Sequence, residues 1–298
     1  MNKSLKYFDP ETLASIRPLG LRAKTLVEGL VSGLHRSPLR GHSAEFAQHR
    51  EYVPGDDLRQ VDWKVYARSD RYYLKQYEDE TNLLCYILVD QSESMHYRGK
   101  NSHLSKLEYA QLIACALGHL IVSQQDQAGL VTYTSQIEHW LPASNSPAQL
   151  DDFVQILETS ATQTKTNLTQ VLSDTAGRLQ KPTLLILLSD MLDEFESVSQ
   201  ALKLLAHARH DLVLLHIFDP DELDFPFDQT TQFDGLENLP SLTTDPLLIA
   251  GAYRKAMKQF HRDLERVCRQ QNSDYFSLRT SESLAQQLPH ILASRARS

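Results

Sequence analysis

From residue 83 onward, apolar runs alternate with amphipathic stretches. LLCYILVD (83–90), TLLILLSD (183–190) and LVLLHIFD (212–219) are apolar almost throughout, as strands buried on both faces of a parallel sheet must be. Two shorter strands are predicted at GLVTYT (129–134) and QIEHWLP (136–142), and a further one at DYFSLR (274–279). Helical spacing predicts helices near 104–124, 147–159, 194–209 and 246–271, one following Asn167, and a last one from Ser283. Apolar strands alternating with helices predict an α/β fold, a doubly wound and mostly parallel sheet.

The first 81 residues differ. Residues 10–34 predict one or two amphipathic helices, with Leu21, Leu26, Val27, Leu30 and Leu34 on the apolar face and Gly33 and Pro38 as stops. Residues 35–81 mix charges, aromatics and turn residues, with strands expected near 45–53 and 72–80 and a short helix opened by Asp62 between them. Seven basic residues (Arg36, Arg40, Arg50, Arg59, Lys64, Arg68, Arg71) sit among six acids over 35–71, so ion-pair networks are expected there. Trp63 and Tyr66 are placed to anchor this module to the sheet domain. The domain reading is therefore 1–81, an N-terminal helical segment and charged, aromatic module, followed by 82–298, the sheet domain.

Charge changes this picture in one place. The formal net charge is -8, and Asp219 to Asp245 alone hold eight acids and no Lys or Arg, leaving 30 basic and 30 acidic residues elsewhere. No basic footprint for nucleic acid is present, and the acidic stretch reads as a solvated surface loop. Three cysteines, Cys85, Cys115 and Cys268, fit neither zinc ligation nor a disulfide framework. The N-terminus has no apolar signal region and no stretch approaches a membrane span, so the expectation is a soluble cytoplasmic protein.

Two of the buried strands end in an acid, Asp90 and Asp190, at the sheet edge where open α/β folds bind ligands. Asp90-Gln91-Ser92-Glu93-Ser94 follows the first. In an extended turn, positions 90, 92 and 94 point one way, so a carboxylate and two hydroxyls converge. Thr166, before the helix that follows Asn167, can add a third hydroxyl. Hard oxygen donors suit Mg²⁺, Mn²⁺ or Ca²⁺. The competing local uses are helix caps: Ser92 and Ser94 as an N-cap pair, and Asp190 or Asp193 for helix 194–209.

Together these pieces resemble the metal-ion-dependent adhesion site of von Willebrand factor type A domains. The resemblance implies Ser92, Ser94 and Thr166 touching the metal, with Asp90 and Asp190 orienting its waters or ligating it. Lys165 stands where a glycine commonly precedes the motif threonine. A second resemblance covers about residues 30–200. The text from Ser32-Gly33-Leu34-His35 through Tyr77-Glu78-Asp79-Glu80-Thr81, running into the first buried strand, is similar to the bacterial family known as domain of unknown function 58. That likeness implies association with a MoxR-type AAA+ ATPase.

The expected function is thus a metal-dependent protein-binding module rather than an enzyme. No phosphate loop, HExxH or GxSxG is present. A Mg²⁺-dependent phosphohydrolase with Asp90 as nucleophile is the first alternative, weakened by Ser92 where a second acid is usual, and with no lysine evidently paired to the site. A structural adaptor with a vestigial metal site is the second. His35, His42 and His49 recur every seven residues, but Pro38 and Gly41 exclude a common helix for them.

Overall fold

In the computed structural model the described residues are Leu19, Ala23, Val27, 44–51, 65–66, 72–79, 83–159, 167–233 and 242–295, with backbone alone for 44–51, 73–79 and 294–295. The chain divides into two compact units, Arg40–Leu83 and, separately, Met1–Leu39 with Leu84–Ser298.

The smaller unit contains β1 (Ala44–Glu51) and β2 (Tyr73–Asp79), paired antiparallel from Ala44 opposite Asp79 to Glu51 opposite Tyr73, with an irregularity between Phe46 and Gln48. Both strands were expected. Val65 and Tyr66 are helical, and the Tyr66 ring stacks on Tyr72 at 4.5 Å. Trp63 and the Gly55-Asp56-Asp57 turn lie outside the described residues.

The larger unit is built on a six-stranded sheet: β3 (Leu84–Asp90), β4 (Gln127–Tyr133), β5 (Ile137–Ser144), β6 (Leu184–Ser189), β7 (Asp211–Phe218) and β10 (Asp274–Arg279). The order across the sheet is β10-β7-β6-β3-β4-β5, parallel throughout except for β5, which runs antiparallel to β4 at one edge. The chain thus moves outward from β3 in both directions, with helices between strands, as a doubly wound sheet does. The fold class read from the apolar runs is the one observed.

Burial explains the composition of each strand. β6 is buried along its whole length, and β3, β4 and β7 everywhere but the first residue, whereas edge strand β5 has no fully buried residue and exposes Glu138 and His139. Each fully buried Leu, Ile or Val contributes about 1.5–3 kcal/mol of transfer free energy. The helices are α1 (Lys106–Ser123), α2 (Gln149–Thr159), α3 (Leu168–Arg178), α4 (Phe195–His207), the short α5 (Pro220–Asp224), α6 (Pro246–Gln270) and α7 (Leu284–Arg295). The core against α3, α4 and α6 joins Tyr86, Leu88, Val131, Tyr133, Leu187 and Leu214 of the sheet to Val171, Leu202 and Leu264 of those helices. Gly129 is required where Tyr86 crosses it, since a Cβ there would fall on the tyrosine ring.

At the N-terminus, Leu19, Ala23 and Val27 are helical and buried, a stripe at every fourth residue. The expected stripe shared only Val27 with it; Leu21, Leu26, Leu30 and Leu34 lie outside the described residues.

Candidate functional site

The strand order reverses between β3 and β4 on one side and β6 on the other, so the C-terminal ends of β3 and β6 flank the crevice where open α/β sheets take ligands. Asp90 closes β3 and Asp190 follows β6. Register then adds a relation that no single segment shows. Tyr133 of β4 stands opposite Asp90, and Ser189 of β6 stands opposite His216 of β7. With Val89 opposite Leu188, Ser189 falls beside Asp90, so Tyr133, Asp90, Ser189 and His216 form one polar row across four strands.

Asp90 is tied down at both oxygens. Its Oδ1 accepts from Ser92 N at 2.9 Å, and its Oδ2 accepts from Ser189 Oγ at 2.7 Å. Burial, then the nearby charge of Asp190, pushes its carboxyl up to about 7 despite these bonds. The Tyr133 hydroxyl is kept protonated by burial and by the Asp90 charge.

The turn after Asp90 holds a 3₁₀ helix, Glu93–His96, with Ser92 at its N-cap position but no cap bond from the Ser92 side chain. Ser92 Oγ lies 3.1 Å from Ser94 Oγ instead. The two hydroxyls expected to converge do so, and the capping use of Ser92 is not taken. Gln91 is buried in the same turn, and neither polar atom of its amide has a partner.

Asp190 does not cap α4 either: Glu194 holds that position without a side-chain cap, and Asp193 accepts from Glu194 N. Asp190 Oδ1 accepts from Leu192 N at 3.2 Å, and its carbonyl accepts from His216 Nε2 at 2.8 Å. Because a carbonyl only accepts, His216 carries its proton on Nε2, and Nδ1 accepts from the Tyr275 hydroxyl at 2.9 Å. Burial, and then His261, hold His216 well below the ordinary histidine range, so it is neutral. Met191 turns the chain with a φ of 55°, a left-handed conformation costing about 1 kcal/mol in a non-glycine residue.

The lysine that sequence reasoning missed is Lys106. It is wholly buried at the first position of α1, where its ammonium donates to Asp190 Oδ2 at 2.7 Å and to Glu222 Oε1. Burial alone would lower its pKa, but the Asp190 and Glu222 charges outweigh that and hold it raised. A signal did exist. Ser105-Lys106-Leu107-Glu108 is a capping box opening an otherwise apolar helix, and a cation in a first turn opposes the helix dipole. Such a lysine needs anionic company.

Glu222 corrects the reading of the acidic stretch. Asp219 is fully buried and Asp221 nearly so, and Asp219 with Glu222 forms the capping box of α5. Asp219 also accepts from Gly99 N, and Asp221 from the Tyr97 hydroxyl. The first acids of this stretch are therefore structural anchors; further along, β8 (Thr231–Phe233) pairs antiparallel with β9 (Leu242–Thr244).

Thr166 and Lys165 lie outside the described residues. The next residue, Asn167, caps α3 by accepting from Gln170 N, and its own N–H donates to Thr134 O just past β4. Among the described residues, no group of three or more His, Cys, Asp or Glu is placed to hold a metal ion. The strand ends offer two serine hydroxyls beside two aspartates.

Residues 48–263 match the family model described as a protein of unknown function, DUF58. The chain belongs to the DUF58 family. Uncharacterized proteins of Mycobacterium bovis and Mycobacterium tuberculosis are similar to this DUF58 chain, 24% identical over 295 residues, covering 97% of it and 91% of their own length. Among solved structures, the conserved hypothetical protein BatB from Bacteroides thetaiotaomicron is 15% identical, with a TM-score of 0.49, over 72% of this chain and 100% of that one. The SpRpn10 VWA domain is 10% identical, with a TM-score of 0.42, over 71% and 95%. The architecture of the DUF58 chain rests on its own strand order. Among its described residues no helix is long and apolar enough to cross a membrane.

Proposed function

We propose that this protein is a metal-dependent protein-binding module, with Mg²⁺ (or Mn²⁺ or Ca²⁺) held at Asp90, Ser92, Ser94, Thr166 and Asp190. The observation that carries the reading is the pair of buried hydroxyls, Ser92 Oγ and Ser94 Oγ, hydrogen-bonded to each other at 3.1 Å beside Asp90, with Ser92 free of any capping duty. Neighbouring ligands of an octahedral Mg²⁺, each about 2.1 Å from the ion, lie about 3.0 Å apart.

Charge supports it. Asp90, Asp190 and Glu222 are gathered with one ammonium, that of Lys106, and Asp90 relieves the excess by holding its proton to about 7. A dication would bring three carboxylates and one ammonium to neutrality. The orphaned Gln91 amide is a ready partner for metal-bound water. When bound, the ion would supply a Lewis-acidic point for an oxygen ligand from outside. Asp90 and Asp190 would orient water, and Ser92 and Ser94 would ligate. Ser92 is fully buried, and the other described donors are at most 3% exposed, so an outside carboxylate reaches the ion after the site opens.

The partner we propose is a MoxR-type AAA+ ATPase or its client, on the strength of the family's association. Among the described residues the geometry does not favour a phosphohydrolase: both Asp90 oxygens accept protein hydrogen bonds, and Lys106 pairs with Asp190 rather than with Asp90. Calorimetric titration with Mg²⁺ tests the metal. One site is expected in the wild type and none in a folded Asp90→Ala variant; equal binding by both would remove the assignment. Capture of the ATPase with and without EDTA tests the contact. Loss of a charge-assisted contact costs ~2–5 kcal/mol, roughly 30-fold to several-thousand-fold in affinity.

A further inference from the structure

We propose that Lys106 is an internal counter-ion that stands in for the divalent cation at Asp190 and passes the state of that site to α5 through Glu222. The inference rests on the metal reading above and names a residue outside the donor set. Three observations carry it.

The first is placement. The Lys106 side chain has no solvent exposure and occupies the first turn of α1, where the helix dipole disfavours a cation. Burying an ammonium is costly unless it is fully paired. An apolar residue of similar length would fill the space without that cost, so packing alone does not explain a lysine.

The second is the pair of groups it joins. Its two carboxylates come from segments far apart in sequence, Asp190 after β6 and Glu222 on α5. The same α5 is fastened to the loop before α1 through Gly99 N to Asp219 and the Tyr97 hydroxyl to Asp221. Lys106 therefore sits between the candidate donors and a short helix that carries none of them.

The third is competition. Asp190 Oδ2 already accepts from the ammonium at 2.7 Å. A dication drawing on Asp190 puts two positive charges beside the ammonium, and like charges a few ångströms apart repel strongly in a poorly screened interior. Binding the ion must loosen Lys106 from Asp190. Glu222 is the acceptor that remains, so α5 feels the change. Lys106 is here a positioning residue, not a ligand.

The experiment titrates the full-length wild type, Lys106→Met, Glu222→Gln and Asp90→Ala with Mg²⁺ by calorimetry, and follows amide exchange over residues 219–225 with and without Mg²⁺. Lys106→Met is expected to bind Mg²⁺ on the order of tenfold more tightly, since the competing charge is gone. Glu222→Gln is expected to bind several-fold more weakly. In the wild type Mg²⁺ changes exchange in α5, and in both variants that response is lost. Should Lys106→Met fail to fold, Glu222→Gln carries both readouts. If the wild type binds Mg²⁺, Asp90→Ala does not, and the Lys106 and Glu222 variants match the wild type in affinity and exchange, Lys106 is a structural clamp and the inference is overturned. If folded wild type binds no Mg²⁺ at all, the metal reading itself falls, and this inference with it.

Discussion

Two strand-end turns in this chain begin alike and end differently. After β3 the chain reads Asp90-Gln91-Ser92-Glu93-Ser94; after β7 it reads Asp219-Pro220-Asp221-Glu222. In the β7 turn, every group with local work to do does it. Asp219 caps α5, Glu222 accepts in return from the Asp219 N–H, Pro220 fills the first helical position, and Asp219 accepts a further bond from Gly99. In the β3 turn, the residue best placed to cap leaves it undone. Ser92 makes no cap, its hydroxyl meets that of Ser94, and the Gln91 amide is buried without a partner. Unpaired buried polar groups cost about 1–3 kcal/mol each. The β7 turn is thus satisfied locally, whereas the β3 turn leaves the Gln91 amide unpaired, and this contrast is what supports the ligand site we propose there.

The comparison is sharpened first at the saturated turn. Asp219→Ala removes the α5 cap and the acceptor for Gly99, and is expected to lower the unfolding free energy by about 3 kcal/mol in urea titration. The loss is read without divalent metal. An effect below about 1 kcal/mol, the size of one ordinary cap, would deny that this turn is structural. Gly99→Ala attacks the same contact from the other side. Its Cβ would fall on the Asp219 and Asp221 carboxylates, and a loss of about 2 kcal/mol is expected by the same measurement.

At the unsatisfied turn the sign reverses. Asp90 is raised from 3.8 to about 7, so between these values the folded protein holds a proton that the unfolded chain has released. Its contribution to metal-free stability therefore falls as pH rises from about 4 to 7. Asp90→Asn removes that penalty but also an acceptor for the Ser189 hydroxyl, so a net gain of about 1–2 kcal/mol is expected at pH 8 without divalent metal, shrinking towards pH 5. Thermal melts across that range read the difference between variant and wild type, in which the opposite slope of neutral, buried His216 cancels. A difference that does not change with pH would break the argument. The smallest effect belongs to Ser92→Ala. A serine that caps nothing forfeits its hydroxyl bond to Ser94, so metal-free stability should fall by about 1 kcal/mol, while Mg²⁺ binding weakens in calorimetry.

How far the molecule was legible in its sequence varies by element. The strands of the six-stranded sheet and the six longer helices of residues 83–295, all but the short α5, were readable because two-sided burial forces apolar runs, and capping boxes such as Ser105 to Glu108 punctuate them. Asp90, Ser92, Ser94 and Asp190 were readable because strand ends and donor types are local facts. Near the N-terminus Leu19, Ala23 and Val27 are buried; of the expected stripe only Val27 is among the described residues, and Leu19 and Ala23 were not named because several periodic choices fit the same apolar residues. The acidic stretch was read by composition, which cannot distinguish a buried cap such as Asp219 from an exposed aspartate such as Asp228.

By itself, then, the sequence determined the alternation of strands and helices, the acids at two strand ends and the hydroxyls beside one of them, all set by spacing along the backbone. Only the tertiary structure decided strand order, the polar row of Tyr133, Asp90, Ser189 and His216, and the meeting of Lys106 with Asp190 and Glu222. Lys106 lies 84 positions from Asp190 and 116 from Glu222 along the chain. Bonds over such separations form only when packing of the sheet brings its strand ends together, and no local pattern of residues encodes them.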